Sequence, residues 1–122
     1  MKNTTDKGRN AEGRAAAHLE SLGYRIVERN ARTAGGEIDL VARDGDELVF
    51  VEVRSRADDS TGGAEETIGP AKRRRVARAA AAYLVERNPH RATCRFDVVA
   101  ITGDAIELYR DAFRLGLLAR YG

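Results

Sequence analysis

Residues 36 to 56, GEIDLVARDGDELVFVEVRSR, hold two runs rich in Val, Ile, Leu and Phe on either side of Asp44-Gly45. That pair tolerates the positive φ of a tight turn, so the runs are expected to fold back on each other as an antiparallel hairpin. With Asp44-Gly45 as a two-residue turn, Arg43 faces Asp46, Val41 faces Leu48, Asp39 faces Phe50 and Glu37 faces Glu52. Side chains alternate between faces. Glu37, Asp39, Val41, Leu48, Phe50, Glu52 and Arg54 are then expected on one side, and Ile38, Leu40, Val49, Val51 and Val53 on the other. Directly opposed like charges cost about 0.2–1 kcal/mol per pair, so the Glu37/Glu52 clash needs an offset. Two readings are open. In one, Arg54 and neighbouring arginines neutralise the acids on a solvated face. In the other, Asp39 and Glu52, diagonal neighbours roughly 7–8 Å apart at Cα, converge on a divalent cation. All-oxygen ligation suits Mg²⁺ or Mn²⁺.

The flanking sequence predicts what this hairpin is built into. Residues 6 to 22 have helical spacing in Ala11, Ala15, Leu19 and Leu22, with Asp6 as N-cap and Gly23 as stop; this helix carries Glu12. Tyr24 to Arg29 alternates as a half-buried strand, which NARTAGG is expected to break. Residues 57 to 69 are polar and aperiodic, as in a loop. Pro70 opens a second helix whose stripe is Val76, Ala80, Tyr83 and Leu84, and Asn88-Pro89 closes it. RFDVVAI reads as a buried strand, Gly103-Asp104 as a turn and AIELY as another strand. The tail RDAFRLGLLAR, with Phe113, Leu117 and Leu118, reads as a short terminal helix or docking segment. The order α-β-β-β-α-β-β, with a helical crossover between the third and fourth strands, predicts an α/β fold: a mixed β-sheet flanked by helices.

At 122 residues the chain has room for one core, so residues 1–122 are expected to form a single domain. Charged residues make up 33% and hydrophobic residues 43%, a globular balance. Without a membrane-length apolar run or a signal-like N-terminus, a cytoplasmic location is expected. A lone Cys94 excludes an intramolecular disulfide, and His18 and His90 lack partners at ligand spacing. No Walker-type loop, dinucleotide fingerprint or Ser/His/Asp set is present. The net charge is only +2, but the cations are nearly all arginine and they cluster. Lys72, Arg73, Arg74 and Arg75, with Arg78 one turn on, sit at a helix N-terminus, where backbone N–H groups favour phosphate. Lys7, Arg9 and Arg14 on the first helix extend this track.

The hairpin resembles the PD-(D/E)xK nuclease motif, an aspartate on one strand followed by Glu-x-Lys on the next. Together with GRNAEGRAAAHLESLGYRIVERNAR, AKRRRVARAAAAYL and RFDVVAI, it is similar over nearly the whole chain to the YraN family of uncharacterised bacterial proteins. These in turn resemble archaeal Holliday junction resolvases. The resemblance implies a restriction-endonuclease-like fold, Mg²⁺-dependent cleavage of branched DNA and a homodimer. It also implies roles. Asp39 and Glu52 match the metal-binding acids, and the Val53 carbonyl adds a ligand. Glu12 matches the first-helix acid, and Glu37 an additional acid of the motif. Where the motif has lysine this chain has Arg54, whose guanidinium stays protonated and cannot act as a base. It is left to orient water or phosphate, while Lys72 leans in from the helix start. The expectation is a Mg²⁺-dependent endonuclease acting on DNA; the alternative is a nucleic-acid-binding module on a nuclease scaffold without hydrolysis.

Overall fold

The computed structural model describes residues 4–56, 69–89 and 93–113. Its elements follow the predicted order: α1 (Thr4–Ser21), β1 (Arg25–Thr33), β2 (Gly36–Asp44), β3 (Glu47–Arg56), α2 (Pro70–Arg87), β4 (Cys94–Thr102) and β5 (Ala105–Phe113). The strands form one sheet in the order β1-β2-β3-β4-β5. Three neighbouring pairs are antiparallel, and β3 and β4, joined through α2, are parallel. Among the described residues no helix is long and apolar enough to cross a membrane.

Both helix ends are set by local chemistry. Gly23 takes φ +98° just past α1. The Tyr24 N–H then reaches the Leu19 carbonyl and the Gly23 N–H the Glu20 carbonyl, each at 3.0 Å, closing the exposed carbonyls in a Schellman motif. At the other helix, Pro70 occupies the first turn and Asn88 caps the end in the left-handed region, its N–H bonded to the Leu84 carbonyl. The helix α1 begins at Thr4, so Asp6 lies inside it and is not the N-cap.

The sheet buries both faces. Towards α2 lie Val41, Leu48, Phe50, Phe96 and Val98, against Val76, Ala79, Ala80, Tyr83 and Leu84. Towards α1 lie Leu40, Ala42, Val49, Val51, Val99 and Ile101, against Ala11, Ala15, Ala16 and Leu19. The expected parity of the hairpin therefore holds for these residues, although its register does not. The turn falls on Gly45-Asp46, so Asp44 pairs with Glu47, Arg43 with Leu48 and Val41 with Phe50. Only glycine takes φ +62° at position 45 without strain, and the first turn residue must do so. Moving the turn by one residue shifts the pairing by two, which keeps every side chain on its predicted face. Ile38 is the exception: it packs towards α2, opposite to the prediction.

Two further expectations are corrected. NARTAGG does not end β1. Asn30 adopts φ +50° and the strand continues to Thr33, with Ala31 buried opposite Ile38. Likewise Arg110 to Phe113 belong to β5 rather than to a terminal helix, with Phe96 paired to Phe113 across a bulge. Leu117 and Leu118, and the loop read over 57 to 68, lie outside the described residues.

Where the β1–β2 turn meets α2 there is no room for a side chain. A Cβ on Gly35 would stand 2.5 Å from the Arg78 carbonyl oxygen. Around it, Thr33 Oγ1 donates to the Gly36 carbonyl (2.7 Å), the Ala34 N–H donates to Glu86 (2.8 Å), and Arg87 forks onto both Glu28 oxygens (2.8 and 3.2 Å).

At the end of the sheet where β3 and β4 begin, a buried polar network replaces apolar packing. Asp97 is fully buried. Its carboxylate accepts from Arg95 Nε (2.9 Å), the Tyr24 hydroxyl (2.7 Å) and the Asp111 N–H (2.9 Å). Arg95 also pairs with Asp44 (2.7 Å) and Glu47. Burial and the Asp97 carboxylate push the Tyr24 hydroxyl up to about 12. Every partner of Asp97 is thereby satisfied, as a buried charge requires.

Gly35→Ala is expected to cost about 1–3 kcal/mol through overpacking, read as a fall in denaturation midpoint. Asp97→Ala should cost about 3–5 kcal/mol because it leaves Arg95 partnerless at its core end, whereas Tyr24→Phe should cost about 1 kcal/mol. Urea unfolding of the two variants checks the ordering, which fails if Asp97→Ala is the milder.

Candidate functional site

The opposite end of the sheet gathers the acids. Paired rungs between β2 and β3 run from Asp44–Glu47 to Leu40–Val51 and stop there, although both strands continue. Asp39 and Glu52 are the next residues on the two strands, and a continued register would set them across from each other rather than diagonal as expected. The Val53 N–H, which a continued ladder would give to a β2 carbonyl, instead donates to Asp39 Oδ2 at 2.8 Å. A side chain thus ends the ladder, and the Val53 carbonyl, on the same strand edge as its N–H, faces the same gap.

Glu12 arrives from α1, half-buried, within hydrogen-bonding reach of Asp39 and of the Asn30 amide. Burial raises its carboxyl above the ordinary range, and the Glu37 and Glu52 charges add to this. Asp39 is affected more. Burial first, then the Glu52 carboxylate, then Glu12 push it up to about 7, against the opposing pull of the Val53 N–H and Lys72. From the other side, the first turn of α2 delivers Lys72, whose Nζ lies 2.7 Å from Glu52 Oε2. Glu52 is only 13% exposed there, so this is an enclosed ion pair at the positive end of a helix.

The remaining predicted site residues are placed as follows. Arg54 is half-buried two residues beyond Glu52 on the same face of β3. Glu37 is more open than the other acids: its side chain is 48% exposed and only loosely opposite Arg32, at 3.9 Å, although its charge still acts on Glu12. Arg74, Arg75 and Arg78 are exposed and, with Ala71 and Lys72, line a shallow depression of about 410 Å³ beside the acids. Arg73 is exposed on the same helix. The side chains of Lys7 and Arg9 lie outside the described residues. Arg14 does not extend a cationic track, since its guanidinium donates to the Gly103 carbonyl at the β4–β5 turn (2.9 Å).

Among the described residues no three carboxylate, histidine or cysteine side chains are already disposed to hold a metal ion. Their chemistry nevertheless fits a hard divalent cation. Asp39, Glu52 and Glu12 offer only oxygen, and the repulsion that raises Asp39 is what a doubly charged ion relieves. One oxygen of Glu52 is engaged by Lys72, so a metal would have to compete for it.

Sequence reasoning missed Asn30, and it had Lys72 leaning in from the helix start without assigning Glu52 as its partner. An asparagine just before the supposed break was a signal for the first, since Asn tolerates the left-handed region. No spacing rule signals the second, which joins residues from a strand and a helix.

Comparison with other proteins places these residues in a family context. The profile of the uncharacterised protein family UPF0102 matches residues 11–101. A UPF0102 protein of Dechloromonas aromatica is 53% identical over 110 residues, covering 90% of each chain. One of Paracidovorax citrulli is 53% identical over 117 residues, covering 93% of this chain and 86% of its own. The Yersinia pestis protein YpAngola_A1121 is 49% identical over 110 residues, covering 88% and 94%.

The raised Asp39 carboxyl has a stability consequence of definite sign. Because the fold favours its protonated form, its contribution is complete below about pH 4 and is lost as pH rises through about 7. At pH 8 the metal-free protein then carries a penalty of up to about 4 kcal/mol, at 1.36 kcal/mol per unit. Asp39→Asn removes it. In EDTA this variant should melt higher than wild type at pH 8, with the gain shrinking towards pH 4; a gain that does not depend on pH contradicts the assignment.

Proposed function

The chain belongs to the uncharacterised protein family UPF0102, and from its site we propose that it is a metal-dependent endonuclease acting on DNA, with branched DNA as the favoured substrate. The observation that carries this reading is the meeting of Asp39, Glu52 and Glu12, from three different elements, at the one place where the β2–β3 ladder gives way. Partly buried acids that raise one another's carboxyls mark a place suited to chemistry.

In this reading Asp39, Glu52 and Glu12 hold Mg²⁺ or Mn²⁺, with the Val53 carbonyl as a further oxygen ligand. The ion supplies Lewis-acid stabilisation of charge on the phosphate and makes water acidic enough to attack near neutral pH. Asp39, drawn to its place by the Val53 N–H, keeps its orientation without help from solvent. Arg54 stays protonated, so it serves as a donor to phosphate oxygens rather than as a base. Lys72 supplies the lysine that the motif lacks at Arg54. Arg74, Arg75 and Arg78, with Arg73, take the flanking backbone phosphates, assisted by the helix N-terminus. Lys7 and Arg9 extend this contact along α1, and Glu37 adds negative charge at the rim of the acid group. By resemblance to the resolvases, the working unit is a homodimer.

A second reading is favoured by Arg54 standing where the motif has lysine: a nucleic-acid-binding module that does not hydrolyse its ligand. Purified protein incubated with duplex, single-stranded and four-way DNA plus Mg²⁺ or Mn²⁺ decides between them. The proposal expects cleavage of at least one substrate, reduced on the order of 10²-fold or more in Asp39→Ala and in Glu52→Ala. Cleavage that persists in both variants rejects the site. Salt-sensitive binding without divalent-dependent cutting selects the binding module.

A further inference from the structure

We infer that Lys72 is a resident counter-ion that occupies the metal's place on Glu52 and is exchanged for it, so that divalent-ion binding releases this side chain towards the phosphate-facing surface of α2. The inference rests on the metal-site reading above and adds a step to it.

Three observations support the exchange. The Lys72 ammonium lies 2.7 Å from a Glu52 oxygen that is nearly enclosed, so the pair is better shielded than a surface ion pair. Glu52 is also the acid opposite Asp39, and both cations cannot share that oxygen at contact distance. Finally, the first turn of α2 contributes no acidic side chain, and its N-cap, Gly69, makes no side-chain hydrogen bond. Of the helix's buried residues none precedes Val76, so Lys72 is tied inward chiefly by this bridge. Once released, its long flexible stem reaches the depression it already lines with Arg74, Arg75 and Arg78. The exchange raises the positive charge facing the acids from one when resting to two when loaded.

The chain's composition makes this measurable, because its lysines are Lys2, Lys7 and Lys72. Reductive ¹³C-methylation, which keeps the charge, labels all three, and Lys72→Arg identifies the Lys72 signal. Titration of the full chain with Mg²⁺, and with Ca²⁺ as a second probe, should move the Lys72 methyl resonance towards that of an exposed lysine. Lys2 and Lys7 should stay in place, and the midpoint should match the calorimetric one. Lys72→Met should bind Mg²⁺ more tightly, by about tenfold if the bridge is closed roughly nine-tenths of the time. Metal binding to wild type that leaves the Lys72 signal unmoved, or equal or weaker binding by Lys72→Met, overturns the exchange while leaving the metal site standing. If neither wild type nor Lys72→Met binds a divalent ion, the metal site fails and the exchange with it; binding by Lys72→Met alone supports the exchange in its strongest form.

Discussion

The hydrogen bond from the Val53 N–H to Asp39 is the contact on which the arrangement of the site depends. A hairpin that paired to its ends would present Asp39 and Glu52 as ordinary side chains on a continuous surface. By taking a donor that belongs to the ladder, Asp39 ends the pairing and fixes its own carboxylate in the opening. Without that carboxylate acceptor the opening would leave the Val53 N–H unmatched inside the protein. The same opening admits Glu12 from one helix and Lys72 from the other, so a single local exchange of partners creates a place where both helices deliver charged groups to the same strand pair.

How much of this was legible in the sequence depended on the range of the interaction. Element order, the parallel crossover and the two-sided core follow from periodicity and turn residues, which are local. The hairpin register was misread by one turn residue, yet Val41, Leu48 and Phe50 kept one face and Leu40, Val49 and Val51 the other because the slip was even. Ile38 was misplaced because alternation on β2 breaks between Ile38 and Leu40, beside the stretch of β1 where Asn30 takes a left-handed conformation. Asp6 and the terminal tail were misjudged at element ends, where competing caps and bulges decide. The acids of the site were legible through alternation and resemblance. Its lysine partner was legible only as a residue near a helix start, since the sequence does not encode which strand atom a helix end will meet.

Charge is segregated along the sheet. At one end, Arg95 and Asp97 form a saturated set with Tyr24, Asp44 and Glu47, in which each buried charge has its opposite. Two charged residues spaced by one in the otherwise apolar CRFDVVAI are its trace in the sequence. At the other end, acids outnumber the one lysine that reaches them. The first arrangement holds strands together and resists change. The second is left wanting positive charge, which is the electrostatic difference between a structural network and a place prepared for a ligand.

The contact at Gly35 has a mechanical meaning for α2. Its latter half is clamped: the turn backbone presses on Arg78, Thr33 and Ala34 tie down its flank, and Arg87 grips Glu28. Its opening turn is tied to the acids by one ammonium on one carboxylate. The helix is therefore held in two different ways, by close packing and hydrogen bonds at the β1–β2 corner and by a charge pair at the end nearest the acids. A change in the backbone packing at Gly35 would therefore alter where the other end of the same helix sets the Lys72 ammonium.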